Sequence, residues 1–243
     1  MELTVLSFED HGLVRIIRLG VISTLPRHFP GHYALLQFGD HPARPYSIAN
    51  SPNDTYLEFH IKNGGHAGGS TVATTSLGIG DKVIFHGFGG HYTSIPDCVR
   101  PLILVAGGTG LAPMLSIAAA SFESNLSRSV FLFYGGRHLA DLYYDTRLKE
   151  MMVMHNHFSY IPCLSDEWVD DIAHGVVGDI ALQHPDLMKA RVYVAGPVDM
   201  VRRTVTQALA KGVLPDVIHS DLADLADLVD LVDLGNLIAI TKK

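Results

Sequence analysis

From Leu102 to Ala106 the chain is apolar, then runs through Gly107-Gly108-Thr109-Gly110 and on into Leu111-Ala112-Pro113 and a further apolar stretch. A strand that breaks into glycines and resumes as a helix is the opening of a βαβ unit. The glycines allow a tight turn, and the helix N-terminus beyond them offers backbone N–H groups to a phosphate. Pro113 falls in the first helical turn, where proline is tolerated. No charge interrupts Pro101–Phe122, so the segment imitates a membrane span. The glycines and Pro113 in its middle read instead as a buried strand, a turn and a buried helix.

The same alternation continues downstream. Leu102–Ala106, Val130–Tyr134, Ser159–Leu164 and Val192–Ala195 end about 30 residues apart, the length of a βαβ unit. Helices are expected at Pro113–Ser121, Asp141–Met151 and Val198–Lys211. Strands alternating with helices predict a doubly wound parallel sheet. Upstream of Pro96–Pro101 the pattern is different. Leu57, Phe59 and Ile61 alternate with Glu58, His60 and Lys62, the period of a half-buried strand. Val83 and Phe85 repeat it, and Leu3–Phe8 and Leu13–Leu19 are further candidates. Short strands between Gly and Pro clusters predict an antiparallel β-barrel or a sandwich. The expected division is a barrel over 1–97, an α/β domain over 98–220 and a tail over 221–243.

The tail repeats Asp-Leu-Ala, Asp-Leu-Val and Asp-Leu-Gly from Asp221 to Gly235. A three-residue repeat drifts by about 60° per repeat around a helix, so its leucines hold no single face. It reads as a low-complexity appendage, with a docking helix for a partner as the alternative. The net charge of −7 and the lack of any basic run argue against nucleic acid. Cys98 and Cys163 are too few to hold an iron–sulfur cluster, which needs four ligands. They read as free thiols in a reducing compartment. Met1-Glu2-Leu3-Thr4 starts no signal peptide, which places the expectation in the cytoplasm.

Two more segments carry chemistry. Arg44-Pro45-Tyr46-Ser47 offers a cation for phosphate, a ring that can stack on a flat heterocycle and a hydroxyl, within four residues. A strand end with a surface Arg and a core Tyr is the plain alternative. Gly64-Gly65-His66-Ala67-Gly68-Gly69 lets backbone N–H groups approach an anion, and Ser70 and Thr71 are expected to cap a helix behind it. The plain alternative is a flexible hairpin loop. The last of the four strands named above runs into the remaining segment, Ala195-Gly196-Pro197-Val198-Asp199-Met200. The three motif segments together suggest two nucleotides, a flavin and a nicotinamide. No metal is required.

In that order, these segments resemble the ferredoxin–NADP reductase superfamily. They match its Arg-x-Tyr-Ser flavin motif, its Gly-Gly-Thr-Gly-x-x-Pro nicotinamide motif and its Cys-Gly-Pro-x-x-Met motif. Gly31-His32-Tyr33 and Tyr134-Gly135-Gly136-Arg137 also look like family segments. The resemblance runs from about residue 1 to 221. It implies FAD on the barrel and NADH, or NADPH, on the α/β domain, with hydride passing from nicotinamide to flavin. Arg44 and Pro45 would lie along the FAD pyrophosphate, Tyr46 would stack on the ring and Ser47 would reach N5. Ile61 and Lys62 would hold the pyrimidine edge through their backbones, and Gly69, Ser70 and Thr71 the pyrophosphate. Gly108, Thr109 and Gly110 would face the nicotinamide, with Gly196, Pro197 and Met200 opposite. Arg137 and Ser165 would lie by the adenosine, where Asp166 and Glu167 disfavour the 2′-phosphate of NADPH.

Two departures stand out: Ala195 replaces the family cysteine, and the Asp-Leu tail replaces the flavin-covering terminus. The expected partner is a ferredoxin or an oxygenase component. Reduction of free flavin and a non-catalytic nucleotide-sensing or assembly module remain as alternatives.

Overall fold

The structure, a computed structural model, describes residues 1–20, 27–90, 98–124 and 127–221. The Asp-Leu tract beyond Asp221 therefore lies outside the described residues. Two compact units emerge: Met1–Asp97 with Leu111–Leu126, and Cys98–Gly110 with the chain from Ser127 onward.

The first unit contains six strands: β1 (Glu2–His11), β2 (Val14–Gly20), β3 (Tyr33–Gln37), β4 (Arg44–Ser47), β5 (Leu57–Lys62) and β6 (Lys82–Gly89). They form one antiparallel sheet in the order β4-β3-β6-β1-β2-β5. Ile48, just past β4, bridges Phe59 of β5, so the two ends of that order meet and the sheet closes as a barrel. Leu3, Ile17, Leu36, Ile48, Phe59 and Val83 fill its interior. Helix α1 (Gly69–Thr75) and helix α2 (Leu111–Glu123) complete the unit. Ser116 donates to the Asn50 carbonyl at 2.8 Å, and Ser51 and Asn53 donate to Glu123 at 2.6 and 2.7 Å.

Strand β5 corrects one sequence expectation. Its period-two pattern reads as half exposed, yet Glu58 and His60 are only 6% and 5% exposed. Arg18 Nε donates to Glu58 at 2.7 Å, His60 Nε2 lies 3.4 Å from the other carboxylate oxygen, and Arg18 also reaches Glu9 at 3.1 Å. Burial pushes the Glu58 carboxyl up, but His60 and Arg18 outweigh it and hold it below the usual carboxylate range. Glu58 and His60 on the polar face of β5 are thus covered by a polar network, while Lys62 at the strand end stays exposed.

The second unit is an all-parallel sheet of β7 (Leu102–Gly107), β8 (Val130–Gly136), β9 (Phe158–Leu164), β10 (Ala173–His174), β11 (Arg191–Ala195) and β12 (Ile218–Ser220). The order β10-β9-β8-β7-β11-β12 makes β7 the point where the winding reverses. Helix α3 (Asp145–Met154), helix α4 (Val177–Ala181) and helix α5 (Val198–Ala210) belong to this unit. The sheet face bearing Ile103, Val105, Val192 and Val194 packs with Val177 of α4 and Val201 and Val205 of α5. Helix α3 starts four residues later than its sequence pattern suggests, because Leu139–Asp141 forms a 3-10 turn first. Cys163 is buried and free, and burial pushes its thiol up to about 12. Among the described residues no helix is long and apolar enough to cross a membrane.

Candidate functional site

In the first unit, folding joins two motifs that the sequence keeps apart. Tyr46 on edge strand β4 is half-buried, its ring edge-on to Phe38 with centroids 5.3 Å apart. Its hydroxyl meets the Ser70 hydroxyl at 3.0 Å. A Cβ on Gly69 would lie 3.5 Å from the same hydroxyl, so the start of α1 sits directly against the tyrosine. Arg44 is exposed, and no carboxylate pairs with it among the described residues. Ser47 is half-buried.

The capping expectation for Ser70 and Thr71 does not hold. Gly68 is the N-cap of α1, and no side chain caps it. Ser70 and Thr71 lie in the first turn, with Thr71 Oγ1 donating to the His66 carbonyl. The orphan N–H groups of that turn therefore stay free of side-chain caps.

On β5, Asn63 N–H bonds to Leu13 on the β2 side, while Ala49 N–H bonds to the Glu58 carbonyl on the other. By alternation, Ile61 directs its backbone to β2 and Lys62 directs its own to the outer edge. Of the two residues expected to offer backbone groups, Lys62 is thus the one facing outward.

In the second unit, the glycine turn and the Gly-Pro segment interlock. A Cβ on Gly110 would lie 2.3 Å from the Ala195 carbonyl oxygen, and one on Gly107 would lie 2.7 Å from Met200 Sδ and 2.9 Å from Pro197. Backbone rests on backbone here, and only glycine allows it. Gly196 has φ +145° and faces Gly107, while its N–H donates to the Asp221 carboxylate at 3.3 Å. Gly108, Thr109 and Gly110 form a 3-10 turn that leads into α2. This cradle lies at the C-terminal ends of β7 and β11, at the winding reversal where open α/β sheets bind ligands.

The edge beyond β8 and β9 holds the remaining candidates. Asp141 Oδ2 accepts the N–H groups of Arg137 and His138, each at 2.9 Å, and so shapes the turn that carries Arg137. Sequence reasoning did not single out this role; the short Arg137-to-Asp141 spacing was its only signal. Ser165 N–H bonds to Gly136, Asp166 N–H to Arg137, and the Ser165 hydroxyl to Asp166 at 2.6 Å. Glu167 accepts Leu139 N–H at 2.7 Å. Arg137, Ser165, Asp166 and Glu167 are therefore brought together.

Comparison with known proteins agrees with this layout. The family described as oxidoreductase NAD-binding domain matches residues 104–206. The ferredoxin–NAD(P)(+) reductase component of the naphthalene 1,2-dioxygenase/salicylate 5-hydroxylase systems of Ralstonia sp is 32% identical, over 87% of this chain and 66% of that protein. The corresponding Pseudomonas putida reductase component of a naphthalene 1,2-dioxygenase system is 30% identical, over 85% and 64%. The chain thus spans about two thirds of the length of these curated relatives. An Amycolatopsis cytochrome P450 reductase, known from its crystal structure, superposes with a TM-score of 0.83 at 31% identity, over 91% of this chain and 69% of that one. With its barrel, its switch-point glycines and these relatives, the chain belongs to the ferredoxin–NADP reductase superfamily.

Proposed function

We propose that this protein is a cytoplasmic reductase that takes hydride from NADH onto FAD and passes the electrons to a ferredoxin or an oxygenase component. What supports the reading is that one chain presents two residue groupings of different chemistry, each suited to a nucleotide. One is built from Arg44, Tyr46, Ser47 and Ser70 with the uncapped first turn of α1. The other is built from the glycines at the ends of β7 and β11. The acceptor follows from the relatives, two of which are ferredoxin–NAD(P)(+) reductase components of oxygenase systems.

The residues of the first grouping fit FAD. Arg44 is an exposed cation for the pyrophosphate, with no carboxylate partner among the described residues; Tyr46 is a ring already fixed by Phe38 and Ser70, and Gly69 leaves the space that a side chain would take. FAD held there would supply the chemistry of a carrier that takes up a hydride and hands its electrons on singly. The protein's part is to hold the partners and exclude competing orientations. Ser47 supplies a hydroxyl for N5, and Lys62 supplies backbone groups for the pyrimidine edge. Thr109 and Gly110 face the nicotinamide, with Gly196, Pro197 and Met200 opposite. Arg137 and Ser165 lie toward the adenosine.

Asp166 and Glu167 favour NADH, since a 2′-phosphate would meet like charge. Anaerobic titration of the purified yellow protein tests the whole reading. NADH is expected to bleach the flavin absorbance, with kcat/KM about tenfold above that for NADPH. No bleaching, or equal use of NADPH, overturns the corresponding part.

A further inference from the structure

Trp168 is the sole tryptophan of the chain, and it is 74% exposed. Large aromatic side chains are mostly covered in folded proteins, so an indole left open is informative. It stands on the loop leaving β9, at the ligand-binding edge of the parallel sheet. That loop is held on both sides of the ring. The Glu167 carboxylate accepts Leu139 N–H at 2.7 Å, and the Glu167 carbonyl lies 3.2 Å from His174 Nδ1. The His174 ring supports the indole with centroids 5.1 Å apart and planes tilted by 48°. The indole thus touches His174 and is otherwise largely open to solvent. The backbone bond from Asp166 to Arg137 ties the loop to the segment that carries the exposed arginine.

A flat apolar face, a guanidinium and a ribose-competent hydroxyl and carboxylate on one edge match an adenine nucleotide. We propose that Trp168 is the platform on which the adenine of the dinucleotide stacks, making it a specificity-determining residue. The inference rests on the reading that this edge takes NADH. Base–aromatic stacking is sequence-tolerant but geometry-dependent, and a supported ring loses little freedom when it is covered.

A single tryptophan makes the test direct, because all indole fluorescence of this chain reports on one position. The full chain is titrated with ADP-ribose and with nicotinamide mononucleotide, following fluorescence and heat in parallel. ADP-ribose is expected to quench saturably, and the mononucleotide, which lacks adenine, is not. Trp168→Leu is expected to weaken ADP-ribose binding by about five- to a hundredfold, while Trp168→Phe keeps most of it. Circular dichroism checks that both variants fold. Calorimetric binding of ADP-ribose with unchanged fluorescence, unchanged affinity in Trp168→Leu, or equal quenching by the mononucleotide overturns the platform and leaves the NADH reading standing. Failure of ADP-ribose to bind the folded protein at all overturns both.

Discussion

On the proposed reading, the two units of this chain meet the same demand, a nucleotide held still, with opposite materials. The antiparallel barrel presents side chains: Arg44, Tyr46, Ser47 and Ser70 stand on an edge strand and on the first turn of α1. The parallel sheet presents backbone: Gly107, Gly110 and Gly196 bring main chain against main chain at the ends of β7 and β11. The difference follows from sheet geometry. An antiparallel barrel projects alternate side chains outward, whereas a parallel sheet collects strand ends and helix N-termini along one edge. A site of side chains is broken by removing atoms, and a site of backbone is broken by adding them.

The largest effect is therefore expected from one methyl group. Gly110→Ala would force its Cβ against the Ala195 carbonyl, and backbone cannot swing aside as a side chain can. Overpacking costs about 1–3 kcal/mol, and this contact belongs at the upper end or beyond. Calorimetry should show NAD⁺ binding weakened by about a hundredfold, with flavin absorbance retained. The reverse change in the other unit is Arg44→Ala. Losing a charge-assisted bond to phosphate costs about 1.5–3 kcal/mol, so FAD should bind tenfold or more weakly while ADP-ribose binding stays as it was. Flavin loss in the first variant, or ADP-ribose loss in the second, would break the comparison.

A smaller effect is expected from acid. In the parallel sheet, Arg191 Nη1 donates to His219 Nε2 at 2.8 Å, and the imidazole stacks on Tyr193. Burial and the Arg191 charge push His219 down to about 4. In the barrel, burial also pushes down His28, whose buried Nε2 has no hydrogen-bond partner among the described residues. Both imidazoles bind protons more readily when unfolded than when folded. Stability is thus fully present above about pH 6.5 and declines as pH falls from there toward 4. Between pH 7 and pH 5, His219 alone should account for at most about 2 kcal/mol. Urea midpoints at the two pH values test this, and His219→Asn should flatten the difference. An equal drop in the variant would place the acid sensitivity elsewhere.

The sequence disclosed the second unit more fully than the first. An apolar run before glycines fixes strand, turn and helix within a dozen residues, so β7, its turn and α2 lie close to where the pattern puts them. Strand β5 shows what a local pattern omits. Its period was right, but the cover over Glu58 and His60 comes from Arg18 and Glu9, some 40 residues or more away in the chain. The capping error at Ser70 has a similar origin. Its hydroxyl is taken by Tyr46, 24 residues upstream, and the glycine at the N-cap position has no side chain to cap the turn. Trp168 was visible as a letter, yet only the folded loop shows that its ring is left open.

Helix α2 carries one last consequence, for the order of events on the ribosome. Residues 1–97 contribute all six barrel strands, yet Asn50, Ser51 and Asn53 find their partners Ser116 and Glu123 only after the chain has also made β7. The nascent barrel must wait, with those polar groups unmet, until the first strand of the following unit has emerged. At synthesis rates of about 5–20 residues per second, that wait lasts a few seconds. Synthesis therefore does not deliver the two units as a finished first piece and a finished second piece.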